Sequence, residues 1–399
     1  MHRFLVISGH DFRTSRWANM HFIARELTRR GEVRFFSLGF SPVSHINGDP
    51  RISLISRANR VEEFRGVQCF LWKSAWHPFN LRLPVLHGLS WTLFAAYRRG
   101  VPDQFKRWVE ESDTIIIESG MAPILLPMIG RLNPHARLIY IASDLLGTIG
   151  VDPFVQVELE ANIDLFDTVV LPSRLMAKAF PPRAKMVFVP HGLDFDATET
   201  GTSPYGGGTH AVSVGSMLFD RSLFDIAPPL FPDVTFHVIG GGRHARRLTA
   251  PNVTLYGEMP YAQTLAYIKH ANLGVAPYKA ECVQDYLCDT SMKLMQYEYF
   301  GIPAICPTAV VGGHAGRFGY APGDAASIKQ AIERALAAGK FAPPTILSWS
   351  EVTDRILRPQ EFADTSVVDR TVEAPALAPA QRTGTAYAIN ARRIKLTTE

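Results

Sequence analysis

The chain has 399 residues, of which 47% are hydrophobic and 20% charged, with a net charge of +4, enough to bury a large core and, by length, more consistent with two domains than one. It contains no run of eighteen apolar residues, its opening "MHRFLVISGHDF" turns polar too early for a signal peptide, and Cys69, Cys282, Cys288 and Cys306 form no C-x-x-C pair. These features argue against a membrane span, a disulfide framework and a zinc site, and they point to a cytoplasmic protein with free thiols.

The elements alternate from the start. "RFLVIS" (3–8) reads as a strand, "RWANMHFIARELTRRG" (16–31) as a helix closed by Gly31, and "VRFFSL" (33–38) as a second strand. The stretch "WHPFNLRLPVLHGLSWTLFAAYRRG" (76–100) mixes Trp76, Phe79, Trp91 and Phe94 with Arg82, Arg98 and Arg99. It ends the basic part of the chain, since residues 1–100 hold 15 Lys/Arg against 6 Asp/Glu and the remainder is net acidic. Such a stretch suits a membrane interface or an anionic ligand, and equally a core helix with a basic edge.

Strands then follow at "DTIIIES" (113–119), "ARLIYIAS" (136–143), "DTVVLPS" (167–173) and "MVFVPHG" (186–192), continuous apolar runs of the kind buried on both faces of a parallel sheet. A polar, glycine-rich stretch at 198–210 marks a boundary. The pattern restarts with "HAVSVGS" (210–216), "VTFHVIGGG" (234–242), "NVTLYGEM" (252–259), "NLGVAPY" (272–278) and "IPAICP" (302–307). The expected organisation is α/β, with two Rossmann-like domains facing a central cleft: 1–197, 198–347, a final helix over 348–358 that packs back on the first domain, and a disordered tail over 359–399.

In doubly wound sheets ligands bind beyond the C-terminal strand ends, which directs attention to Gly215–Met217, Gly240–His244, Glu258, Met259 and Tyr278. "DTSMKLMQYEYFG" begins a helix with capping residues, yet places Lys293 in the first turn. A cation there is unfavourable by about 0.3–1 kcal/mol unless an anion faces it, so Lys293 is expected to meet a diphosphate. Asp144, after the buried strand "RLIYIA", points into the cleft, where it can take a proton or simply cap a helix. "DFD" at Asp194–Asp196 imitates a metal-binding D-x-D but lies near the domain junction, and a structural role is expected. The loop "SGHDFRTS" lacks the G-x-G-x-x-G of a dinucleotide site.

The segments "SGHDFRTSRWANMHF", "WHPFN", "ESG", "ASD", "AVSVGSMLFD", "FHVIG", "YGEM", "YIKHA", "SMKL" and "RFGY", in this order between residues 3 and 357, resemble the GT-B glycosyltransferases, and among them the xanthan-pathway GumK-type glucuronosyltransferases of glycosyltransferase family 70. The resemblance implies an inverting, metal-independent enzyme without cofactor. It would move glucuronic acid from UDP-glucuronate to the mannose of a polyprenyl-diphosphate-linked oligosaccharide in exopolysaccharide synthesis, peripherally at the inner face of the membrane and with no nucleic-acid partner. Carried over by residue, Asp144 is the base, and Met217, Glu258, Met259, Tyr278, Ser291, Met292, Lys293 and Gln296 bind the UDP donor, Met259 and Tyr278 against the uracil. Arg16, in preference to Arg13, is the candidate for the glucuronate carboxylate, with His10 and Asp11 on the acceptor side. Transfer of glucose or galacturonate by the same fold, or nucleotide-sugar epimerisation, is the alternative.

Overall fold

A computed structural model describes residues 1–15, 17–45, 49–78, 80, 87–194 and 201–366. In its first lobe the strands are β1 (Arg3–Ser8), β2 (Glu32–Phe40), β3 (Glu62–Phe64), β4 (Val67–Lys73), β5 (Thr114–Glu118), β6 (Arg137–Ile141), β7 (Thr168–Leu171) and β8 (Met186–Phe188). They form one sheet in the order β3-β4-β2-β1-β5-β6-β7-β8. The apolar runs are central because both faces are covered: every residue of β5 and β7 is buried. Val6 pairs with Phe35 on one side and Ile116 on the other, both parallel, so strand order reverses at β1 and β5. The β3–β4 hairpin turns through Arg65 (φ 50°) and Gly66 (φ 77°) and extends the sheet at its edge. The first helix runs Asn19–Leu27, shorter than the predicted 16–31.

The second lobe contains β9 (Thr209–Val214), β10 (Val234–Ile239), β11 (Val253–Tyr256), β12 (Leu273–Val275), β13 (Ala304–Pro307) and β14 (Arg317–Tyr320), all parallel in the order β11-β10-β9-β12-β13-β14. Its order reverses at β9 and β12. The helix Met292–Tyr299 is seated over that reversal by Tyr297, whose ring lies so close to Gly274 in β12 that a Cβ there would come within 2.5 Å of it. The Tyr297 hydroxyl donates to the Val212 carbonyl of β9 at 3.0 Å. One aromatic thus anchors this helix on β9 and β12.

Among the described residues no helix is long and apolar enough to cross a membrane. The helix His87–Arg99 buries Phe94 and Tyr97, as the core reading of this stretch expects, and leaves Trp91 exposed; Phe79, Arg82, Leu83 and Leu86 lie outside the described residues. The last helix, Trp349–Leu357, starts from a Ser348/Glu351 capping box and packs on the first lobe. Trp349 stacks on Phe22 with ring centroids 5.1 Å apart, and Arg30 reaches Asp354 at 2.8 Å. The chain remains folded past Pro359, where disorder was expected to begin. Short helical turns at Pro359–Glu361 and Ala363–Thr365 follow, tied by the Arg355–Asp364 ion pair, while the remainder of that tail, 367–399, lies outside the described residues.

Candidate active site

Three strands of the first lobe end at one polar cluster. Glu118, the last residue of β5, is buried and accepts hydrogen bonds from the hydroxyls of Ser8, at the end of β1, and Ser143, just beyond β6, the latter at 3.0 Å. Ser143 in turn accepts from Asn19 Nδ2 at 2.7 Å, and His10 Nε2 lies 3.9 Å from Glu118. Asp144 follows Ser143, its backbone N–H held by the Ser119 hydroxyl at 3.0 Å. Desolvation by burial, reinforced by the negative charge of Glu118, pushes the Asp144 carboxyl up to about 6. A carboxylate so raised, at the mouth of a doubly wound sheet, has the affinity for a proton that a general base at neutral pH requires.

The second lobe presents its own cluster across the reversal at β9 and β12. Residues 216–220, after β9, are tied by backbone to 277–279: Asp220 N donates to Pro277 O at 2.7 Å and Lys279 N to Leu218 O at 2.9 Å. Met217 stands 53% exposed in that loop. Gly242 (φ 69°) turns the chain after β10 so closely against Ser216 that a Cβ would meet the serine Cβ at 3.0 Å. Glu258 and Met259 follow β11, Glu258 exposed beside the Gly240 turn and Met259 half-buried against the core.

The helix N-terminus holds the remaining expected residues. Ser291 caps it, accepting from Leu294 N at 3.3 Å, and its hydroxyl lies 2.5 Å from the Tyr278 hydroxyl. Lys293 is buried with Nζ 4.8 Å from the Tyr278 ring centroid, and its ammonium has no hydrogen-bond partner among the described residues. Burial lowers its pKa to about 7. Gln296 donates to the Tyr261 hydroxyl at 3.3 Å, and Met292 packs against the first lobe's core. The structure therefore brings Tyr278, Ser291, Lys293 and Gln296 into one group, with Met217, Glu258 and Met259 on neighbouring strand ends.

Several roles differ from the expectation. Tyr278 is fully buried, so its ring supports Ser291 and Lys293 instead of offering a face to a base. Arg13 is consumed by Asp11 and Glu62, both at 2.8 Å, with a guanidinium closed to solvent. Asp11 is equally buried, and its carboxylate also accepts from Ser37 at 2.9 Å, so it braces the loop and does not line an acceptor surface. Arg16 lies outside the described residues. Asp194 of the D-x-D is held bidentately by Arg25 at 3.0 Å, and Asp196 lies outside the described residues.

Sequence reasoning missed Glu118 and Tyr286. Glu118 could have been found as a carboxylate ending the apolar run "TIIIE". Tyr286 carries no such signal: it sits in an irregular segment of the second lobe, yet packs in the first lobe's core with its hydroxyl 3.5 Å from Asp144 Oδ1.

The family described as the N-terminal domain of the glucuronosyltransferase GumK matches residues 6–172. A UDP-glucuronate:glycolipid 2-beta-glucuronosyltransferase of Xanthomonas campestris pv. campestris is 46% identical over 363 residues, 91% of this chain and 91% of that protein. Among solved structures, UDP-forming α,α-trehalose-phosphate synthases from Burkholderia xenovorans and Burkholderia vietnamiensis superpose with TM-scores of 0.57 and 0.56 at 12% and 13% identity. They cover 90% of this chain in both cases and 95% and 94% of their own; this likeness shows the GT-B fold alone. With the identity to the Xanthomonas protein spanning both lobes, the chain belongs to the GumK family of glucuronosyltransferases.

Proposed function

We propose that the protein transfers glucuronic acid from UDP-glucuronate to a hydroxyl of a glycolipid, with inversion at the anomeric carbon. The reading rests on two groups at strand ends, joined by the segment that carries Tyr286: a carboxyl raised to about 6 on the first lobe and, at a helix N-terminus on the second, a buried ammonium without a hydrogen-bond partner among the described residues. Asp144 takes the proton from the acceptor hydroxyl as its oxygen bonds to the anomeric carbon. The bond from that carbon to the diphosphate oxygen breaks, and UDP leaves with the electron pair. The charge that develops on UDP meets Lys293 and the N–H groups of the helix first turn, which are aligned before the reaction and reorganise little during it. No metal is needed in this division of labour. Met217, Glu258, Met259, Ser291, Met292 and Gln296 border the nucleoside and diphosphate, Tyr278 supports them from beneath, and Arg16 is assigned to the glucuronate carboxylate.

The acceptor is the mannose of a polyprenyl-diphosphate oligosaccharide for an exopolysaccharide of xanthan type, and the basic first lobe rests on the inner face of the membrane. Support comes from the glycolipid named for the Xanthomonas relative and from the exposed Trp91 on the helix that carries Arg98 and Arg99. The test is a donor screen: UDP-glucuronate, UDP-glucose and UDP-galacturonate offered with lipid-linked acceptor extracted from membranes. A clear preference for UDP-glucose would overturn the donor assignment, and transfer of glucuronate to a lipid-free sugar alone would overturn the acceptor.

A further inference from the structure

The segment from Asp285 to Asp289 belongs to the second lobe, yet its side chains reach the first. Asp285 pairs with Lys178, and Asp289 accepts from the Ser173 hydroxyl at 2.5 Å. Between them Tyr286 enters the first lobe's core, only 3% exposed, and its hydroxyl stands 2.8 Å from Thr148 Oγ1 and 3.5 Å from Asp144 Oδ1. Thr148 donates its own proton to Leu145 O at 2.7 Å, so its oxygen is left to accept from Tyr286. The tyrosine has one proton and two acceptors, and in this structure the threonine is the nearer. Five residues further on, the same segment becomes the Ser291 cap of the helix that carries Lys293.

We propose that Tyr286 is a positioning residue for the base: when the lobes seat on donor and acceptor, its hydroxyl shifts from Thr148 to the Asp144 carboxylate, orienting it and tying its ionisation to the donor helix. The inference rests on Asp144 being the base. A hydrogen bond as long as 3.5 Å leaves room for such a device, since catalytic contacts commonly tighten only in the substrate complex. The other titratable groups facing Asp144 are Glu118 and His10 from the first-lobe strand ends and Tyr140 within β6. Glu118 opposes ionisation of Asp144, whereas Tyr286 favours it, so the two neighbours pull the carboxyl in opposite directions.

The experiment is the pH dependence of kcat, which reports the substrate complex, for Tyr286→Phe and Thr148→Val, with UDP affinity measured alongside. Tyr286→Phe keeps the ring in the core and removes the proton, so the acid limb should move to higher pH by about half a unit or more, with UDP affinity unchanged. Thr148→Val removes the competing acceptor and should move the limb to lower pH. A purely structural tyrosine would leave the limb in place in both variants, and superimposable profiles, or shifts of the opposite sign, would overturn the proposal. If Tyr286→Phe does not fold, the sign of the Thr148→Val shift decides. Asp144→Asn separates the two questions: substantial residual transfer removes the base itself, whereas an inactive Asp144→Asn with an unshifted Thr148→Val removes only the tyrosine's part.

Discussion

The Lys293 ammonium lies 4.8 Å from the centroid of the Tyr278 ring, and Tyr278 in turn is locked by the Ser291 hydroxyl that caps the same helix. A desolvated cation over an aromatic face gains about 2 kcal/mol, less than the several kcal/mol lost when an ammonium leaves water. The ring alone does not offset that cost, and the helix N-terminus adds to it. A diphosphate reverses the balance, because it supplies the opposite charge to both.

Lys293 therefore links UDP binding to proton uptake. Its folded pKa is lowered to about 7, so above that pH the free protein holds it neutral, while the bound diphosphate favours the charged form. UDP affinity should weaken as pH rises from about 7, by up to tenfold per unit. Calorimetry in buffers of different ionisation enthalpy should show proton uptake, and Lys293→Met should bind UDP more weakly with no such uptake. PH-independent affinity in the parent would contradict the assignment.

Asp144→Asn should abolish transfer yet stabilise the fold. The folded carboxyl, raised to about 6, binds a proton more tightly than the unfolded one near 3.8, so native stability falls as pH climbs through that window. Removing the charge should recover about 3 kcal/mol at pH 7 and almost nothing at pH 3. Denaturant titrations at the two pH values, together with UDP binding close to that of the parent, check this.

The donor lobe carries a buried ion network whose loss should be costly. Arg317 holds Glu298 bidentately at 2.9 and 3.1 Å, and His314 Nδ1 lies 2.8 Å from the same carboxylate. Glu298→Ala strands the arginine and should destabilise by about 3–5 kcal/mol. Asp289 and Glu298 raise His314 to about 9, above its ordinary 6.5; its contribution is full below 6.5 and lost as pH rises through about 9. Thermal melts of the parent should fall across that window, and those of His314→Asn should not.

Membrane attachment should separate into two parts. Trp91 is 54% exposed, whereas Arg98 is engaged by Glu158 at 3.2 Å, leaving Arg99 as the exposed charge at the end of that helix. Trp91→Ser should reduce vesicle sedimentation that survives high salt, and Arg99→Glu the part that salt releases from anionic vesicles. Equal sedimentation of both variants and the parent would assign the helix to the protein's own packing.

The alternation of apolar runs was legible because strand and helix periods are local. "TIIIE" needs no knowledge of its neighbours to declare burial on both faces, and the helix start at Ser291 is legible from its capping side chain alone. The β3–β4 hairpin escaped because "EEF" is too short and too polar for a periodic signal. Partnership between distant polar groups has no local signature. Arg13 looked available for a sugar carboxylate until Glu62, from the hairpin, closed over it, and Tyr278 looked like a stacking platform until Ser291 turned it inward. Tyr286 beside Asp144 spans 142 residues and two lobes. The sequence by itself determined two largely parallel sheets and the strand ends at which the candidate residues gather. Tertiary structure decided which charges remain unpaired there, because a buried polar group's fate depends on what other elements bring within about 3 Å of it.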